Sequence, residues 1–201
     1  KVVAQNRMAA EKGYQLAREG CKDICPWRLP RRSARFALIA GKEALALAAV
    51  QAGCRYMAAY PMSPATDIIT ILAQHEKQLE VFTEQAEDEI AAINMVIGAN
   101  FAGARAMTAT SGGGFCLMVE ALSLAGMTET PVVIIVAQRP GPSTGLPTRT
   151  EQADLNFVMH AGHGDFPRAI LAPGRPEQAF YLMCKAFNLA EKYQIPVIVF
   201  G

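Results

Sequence analysis

The chain is predicted to be an α/β protein, a mostly parallel sheet covered by helices on both faces. From Phe36 onward, short apolar runs alternate with helical patterns, as strand–helix–strand units require. The apolar runs are continuous and strand-sized, as in Pro131–Ala137, which marks strands buried on both sides. A glycine run, Ser111-Gly112-Gly113-Gly114, joins one such strand to the next helix. Crossovers between parallel strands are nearly always right-handed, and ligands collect at the carboxyl ends of the strands.

Val2 to Glu19 reads as a helix closed by Gly20, with only a thin apolar stripe. Cys21 to Ser33 is irregular, with Pro26 and Pro30 around the only Trp and with Arg28, Arg31, Arg32 and Arg35. It reads as a solvated linker. Gly41 to Ala52 is a helix, Arg55 to Tyr60 a strand stopped by Pro61-Met62-Ser63-Pro64, and Ala65 to Lys77 a helix carrying Ile68, Ile69, Ile71 and Leu72. Leu79 to Thr83 is a strand feeding an acid cluster, Glu87-Asp88-Glu89, which opens a helix rich in small residues (Ala91, Ala92, Gly98, Ala102). Those small residues suit close approach to a sheet or to another subunit.

Ala104 to Thr110 is a strand, Ser111–Gly114 a turn, and Phe115 to Gly126 a helix. Pro131 to Ala137 is a strand, followed by a Pro/Gly/Thr loop from Arg139 to Thr150 and a short helix from Ala153 to His160. Arg168 to Ala172 is a strand, Pro176 to Tyr193 a long helix, and Pro196 to Phe200 a last strand. No internal repeat or low-complexity tract interrupts this order. The loops at Pro61–Pro64, Thr110–Gly114 and Gln138–Gly145 should share one mouth with Glu89.

With 201 residues, 51% of them apolar and a net charge of +1, the chain has material for a full core. That balance points to neither nucleic acid nor an anionic membrane as partner. The apolar runs fall far short of the ~20 residues of a membrane span. Lys1 is no initiator Met, and Gly201 follows directly on an apolar strand, so an internal piece of a longer chain is expected. The five cysteines are odd in number and scattered, which favours reduced thiols and a cytoplasmic setting. Cys21 and Cys25 form one CxxxC pair without a second pair or a nearby His, half a metal set at most, so no metal site is assigned.

Several residues invite chemical readings. Ser111, His163 and Asp165 bring a serine hydrolase to mind, but Ala109 replaces the first Gly of a nucleophile elbow, and His and Asp sit two apart in one loop. The glycine run is better read as a close-approach turn at a helix start, for an anion or for backbone contact. Neither GxGxxG nor a P-loop occurs. Arg139, at a strand end before Pro140-Gly141-Pro142, is a natural carboxylate clamp, although composition alone favours a surface ion pair. The acid cluster is a catalytic acid or simply a favourable helix start. Glu89 stands above an apolar stripe, Ala92, Ile93 and Val96, that would raise its pKa.

Residues 33–201 resemble the α subunit of 2-oxoacid:ferredoxin (acceptor) oxidoreductases of the 2-oxoglutarate type, in their pyrimidine-binding thiamine diphosphate domain. The resemblance is carried by AYPMSPAT (59–66), QAEDEIAA (85–92), ATSGGGF (109–115), MTETPVVIIVAQRPGPSTGLPT (127–148), GHGD (162–165) and AFNLAEKYQIPVIV (186–199). Residues 1–20 resemble the tail of the γ domain that some members fuse ahead of the α domain, with 21–32 as the linker. The resemblance implies that Glu89, with Gly98 nine positions on, is the carboxyl that meets the cofactor's aminopyrimidine nitrogen. It implies Arg139 and Ser63 for the substrate carboxylate and oxo group, and Tyr60, Pro61, Ser111 and Gly112 as cofactor contacts. Lys42 stands where relatives usually carry Asn or Asp, and Gly113 where many carry Pro. The resemblance further implies a β subunit that shares the thiamine diphosphate and holds Mg²⁺ and a 4Fe–4S cluster, coenzyme A as co-substrate, and ferredoxin as acceptor in a hetero-oligomer. A non-catalytic assembly domain, or the pyrimidine domain of a different thiamine enzyme, are the alternatives. The intact Glu89, Ser63 and Arg139 set argues against the first, and the GPSTGLPT loop against the second.

Overall fold

A computed structural model describes residues 2–21 and 37–201. The expected linker from residue 22 on, with Cys25 and its four arginines, lies outside the described residues. The chain divides into two units, Lys1–Leu38 and Ile39–Gly201. The first contributes helix α1, Val2–Gly20, with Arg7 Nε donating to Glu11 Oε1 at 3.2 Å one turn on.

The second unit is the α/β domain. Its sheet has six strands in the order β2-β1-β3-β4-β6-β5, and every pairing is parallel. The strands are β1 Tyr56–Ala59, β2 Phe82–Gln85, β3 Ala106–Thr110, β4 Val132–Val136, β5 Ala169–Leu171 and β6 Pro196–Phe200. The helices are α2 Gly41–Gln51, α3 Thr66–Gln74, α4 Glu76–Leu79, α5 Glu89–Phe101, α6 Gly112–Met127, α7 Leu155–His160 and α8 Pro176–Tyr193.

Strand side chains alternate between two cores, which is why both faces need helices. Met57, Met107, Val133, Ile135, Val197 and Val199 face one layer, against Ile68 and Leu72 of α3 and Met183 and Phe187 of α8. Ala58, Ala106, Val132, Ile134, Val136 and Ile198 face the other, against Ile93 and Val96 of α5 and Phe115, Met118 and Leu122 of α6. The register is set by pairs such as Met107 with Val133 and Ile134 with Ile198. Arg105 ties three elements at one end of the sheet. Its guanidinium grips Glu191 at 2.7 and 2.5 Å and donates to the carbonyl of Ala52.

Three elements differ from the expectation. The helix expected over Ala65–Lys77 breaks at His75, and Glu76–Leu79 forms a separate turn ended by Glu80 at φ +53°. Glu76 then accepts from the Thr83 amide at 2.7 Å and from its hydroxyl. That anchor moves the strand from Leu79–Thr83 to Phe82–Gln85. The glycine run is no turn: α6 begins at Gly112, with Ser111 in the extended N-cap position. Glycine costs about 1 kcal/mol per position in a helix interior relative to Ala. A run of three in the first turn therefore needs a reason, and close approach supplies it.

The chain leaves β1 toward β2 on one side and returns to β3 on the other. Between the carboxyl ends of β1 and β3 the strand order reverses, which is where a parallel sheet opens a crevice. The segments Tyr60–Pro64 and Ser111–Gly114 flank it.

Candidate active site

The acid cluster divides into three roles. Glu87 is exposed. Asp88 is the N-cap of α5, its carboxylate accepting from the Ala91 amide at 2.7 Å. Glu89 is only 3% exposed, and its Oε1 is buried without a hydrogen-bond partner. Burial pushes the Glu89 carboxyl above its ordinary value of 4.5, and Asp88 adds to that push. A bond to its own backbone and the charge of Arg139 pull it back in part. Ala92, Ile93 and Val96 below it are fully buried, as the helical spacing predicts.

Arg139 follows β4 and is 8% exposed. Its Nη1 donates to the carbonyl of Ser63 at 2.9 Å, a contact spanning 76 positions of chain. The bond holds the guanidinium across the crevice mouth and leaves its other N–H donors free to face a ligand. It is a part-buried bridge to a backbone carbonyl of another loop, not a surface ion pair. The hydroxyl-bearing Ser63 is exposed and Tyr60 is 40% exposed, so this rim is open to solvent. Pro61 is half-buried beside them, and Met62 Sδ lies 3.9 Å from the hydroxyl of Thr110.

The start of α6 explains the glycines. A Cβ on Gly114 would stand 2.5 Å from Glu89 Oε1 and collide with the Thr110 hydroxyl. A Cβ on Gly112 would stand 2.7 Å from Cγ of Asp154, and one on Gly113 3.4 Å from the carbonyl oxygen of Ser143. Each glycine therefore receives an oxygen-bearing group of the same chain. Ser111 and Gly112 are both buried, and Ser111 Oγ has no partner. The run was legible as a close-approach feature. That Glu89 rests on Gly114, and Asp154 on Gly112, was not legible, because both pairings join residues far apart in sequence.

His163 and Asp165 do not join this group. His163 bonds Ser123 Oγ through both its amide and its Nδ1, each at 3.2 Å, toward the far end of α6. Its loop is shaped by Phe166, whose ring fills the space beside Gly126 and Gly162. A hollow of about 480 Å³ beside Glu120, Met127 and His163 shares no residue with the crevice. A hydrolytic Ser111–His163 pair is absent. Among the described residues, no group of three or more His, Cys, Asp or Glu could hold a metal ion. No helix among them is long and apolar enough to cross a membrane.

The small-residue stripe of α5 divides as well. Ala92 is buried against the sheet, Ala91 is half-buried, and Gly98 and Ala102 are exposed. Lys42, at the start of α2, is paired with Asp67 of α3.

Comparison with known proteins agrees with this geometry. Residues 47–201 match the family described as pyruvate flavodoxin/ferredoxin oxidoreductase, thiamine diphosphate-binding. Subunit alpha of 2-oxoacid:ferredoxin oxidoreductase 1 from Aeropyrum pernix is 49% identical over 175 residues, 83% of this chain and 27% of that protein. The 2-oxoglutarate synthase subunit KorA of Archaeoglobus fulgidus is 46% identical over 162 residues, 81% of this chain and 47% of that one. The structure of 2-oxoglutarate:ferredoxin oxidoreductase from Magnetococcus marinus, with 2-oxoglutarate, coenzyme A and succinyl-CoA bound, superposes with a TM-score of 0.89 at 42% identity. The match covers 100% of this chain and 35% of that one. The chain thus spans less than half the length of these relatives. It belongs to the thiamine diphosphate-binding domain family of the pyruvate flavodoxin/ferredoxin oxidoreductases.

Proposed function

We propose that this chain is part of the α subunit of a 2-oxoacid:ferredoxin oxidoreductase, acting on 2-oxoglutarate, and that it supplies half of a shared active site. The observation that carries the proposal is the pairing of a buried, unpartnered acid with a buried guanidinium at the strand-order reversal. Glu89 Oε1 is an orphaned polar atom at a helix start, on a carboxyl whose pKa is raised. Such an atom calls for a nitrogen partner, and the aminopyrimidine of thiamine diphosphate fits. When bound, that cofactor supplies the electron sink for losing CO₂ from a 2-oxoacid.

The chain's own residues do the rest. Glu89, kept protonated more readily than an ordinary carboxyl, holds a proton at Oε1 and passes it to or from a ring nitrogen. Arg139, fixed by Ser63, binds the substrate carboxylate through its remaining N–H groups. Ser63 presents its hydroxyl to the oxo group. Tyr60 and Pro61 form the rim against which the cofactor ring is held, and Ser111 and Gly112 the floor behind it. Two relatives are named as subunits, in keeping with a β subunit that completes the site. To that subunit the proposal assigns the cofactor's diphosphate with Mg²⁺ and the 4Fe–4S cluster, with coenzyme A as acyl acceptor and ferredoxin as electron acceptor. Residues 1–20 are assigned to the end of a preceding γ-like domain and 33–201 to the pyrimidine-binding domain. The enzyme is placed in the cytoplasm, where the thiols of Cys54, Cys116 and Cys184 stay reduced.

The test is the purified natural complex assayed on a panel of 2-oxoacids with coenzyme A and a ferredoxin. Turnover led by 2-oxoglutarate is expected, and no turnover of any 2-oxoacid would remove the proposal. Within that assay, Arg139→Lys keeps the charge but loses the planar fork. The KM for the 2-oxoacid should rise about tenfold or more while the complex still assembles. An unchanged KM would move the carboxylate site off this residue.

A further inference from the structure

The segment after β4 is anchored at its start. The Ala137 amide donates to Thr110 O at 2.9 Å, and the Gln138 amide to Gly201 O at 2.6 Å. Arg139 comes next and reaches Ser63. The segment then turns on itself, with the Leu146 amide donating to Pro140 O at 3.1 Å and Gly145 at φ +58° pressed on that carbonyl. From Thr148 to Ala153 every residue is exposed. The first group to return to the domain is Asp154, whose Oδ1 and Cγ lie 2.9 and 2.7 Å from where a Cβ of Gly112 would be. Behind it Phe157 meets Phe115 edge-on at 5.3 Å, and Val158 is buried. Ser143 touches the same helix start through its carbonyl, beside Gly113.

We infer that Asp154 is a positioning residue of this active site: its side chain seats the Arg139 loop against the start of α6, the same surface on which Glu89 rests. The inference depends on the function proposed above. The seat is a packing contact on the Gly112 backbone, and burial, with the charge of Glu151, pushes the Asp154 carboxyl above its ordinary 3.8. Gly112 carries Asp154 and Gly114 carries Glu89, two positions apart on one rigid turn. Fastening the loop at both Ser63 and Gly112 sets Arg139 relative to Glu89, and displacements of about 1 Å between such groups cost on the order of 10²-fold in rate.

The test uses the full-length α subunit in its natural complex, with Asp154→Ala, Asp154→Asn and Gly112→Ala compared by hydrogen–deuterium exchange and steady-state kinetics. In Asp154→Ala and Gly112→Ala, amides in residues 141–153 should exchange about tenfold faster with β3 and β4 unchanged, and the KM for the 2-oxoacid should rise about tenfold with kcat less affected. Asp154→Asn keeps the shape that fills the seat, so its KM should stay within about twofold of the native value. A purely structural role would lower active enzyme without splitting KM from kcat. An unchanged KM in Asp154→Ala overturns the inference while leaving the half-site standing, and absence of turnover in the wild-type complex removes both. Should Gly112→Ala fail to assemble, the two Asp154 variants decide.

Discussion

Glu89→Gln leaves the complex folded and lowers turnover by on the order of 10²-fold or more, the usual cost of losing a general acid–base group. Gln fills the same volume over Ala92, Ile93 and Val96 but has no proton to exchange at the position of Oε1. The stability consequence has the opposite sign. The folded-state pKa of Glu89 lies above its ordinary value of 4.5. Its contribution to stability is therefore present in acid and is lost as pH rises through the carboxyl range toward the folded pKa, because the folded state holds a proton that the unfolded chain releases. At neutral pH the Gln variant, permanently uncharged, should be at least as stable as the native protein in a thermal melt. Glu87→Gln, on an exposed side chain one residue before the cap, is the control and should change turnover little. Near-normal turnover by well-assembled Glu89→Gln would end the assignment.

Gly114→Ala should be nearly as damaging, although it removes no functional group. The added methyl would sit 2.5 Å from Glu89 Oε1 and closer still to the Thr110 hydroxyl, and both are fully enclosed. Neither neighbour is the free end of a flexible surface chain, so the carboxyl must leave its seat or the start of α6 must shift. A shift of about 1 Å in a reacting group costs on the order of 10²-fold, and overpacking a filled core destabilises by about 1–3 kcal/mol. Turnover and melting temperature should therefore fall together, whereas Glu89→Gln lowers turnover alone. Gly113→Ala, with its nearest contact at 3.4 Å, should be much milder.

What the sequence disclosed and what it withheld follow from the range of the interactions. Helix α8 and strand β6 have the expected bounds, because Pro176 at the first turn and Gln194 at φ 53° punctuate them locally. Strand β4 was readable as an unbroken apolar run, since both faces of a parallel sheet are covered, and β3 as a shorter buried strand. Glu89 was separated from Glu87 and Asp88 by the spacing to Gly98 that the family resemblance implies, and the stripe of Ala92, Ile93 and Val96 three, four and seven positions on pointed the same way. The start of β2 was misplaced because Glu76, seven positions upstream, holds Thr83 through a side chain that no periodicity reveals. The occupants of the glycine run were hidden for the same reason: Asp154 and Ser143 arrive at Gly112 and Gly113 from a loop thirty or more positions later, marked by no pattern. His163 and Asp165 carried a family motif, yet their residues serve the packing of Phe166 and Ser123.

The central claim is that the site is shared, with the acid and the clamp on this chain and the cofactor's diphosphate held by a partner. The crevice rim is open at Tyr60 and Ser63, so polar contacts made there by one chain alone compete with water and contribute little. Isothermal calorimetry reads this directly, by titrating thiamine diphosphate with Mg²⁺ into the full-length α subunit, alone and then combined with its partner. The account predicts no measurable binding at micromolar concentrations to the α subunit alone and a stoichiometric heat once the partner is present. A tight, stoichiometric heat with the α subunit alone would place the diphosphate site within it and contradict the shared site.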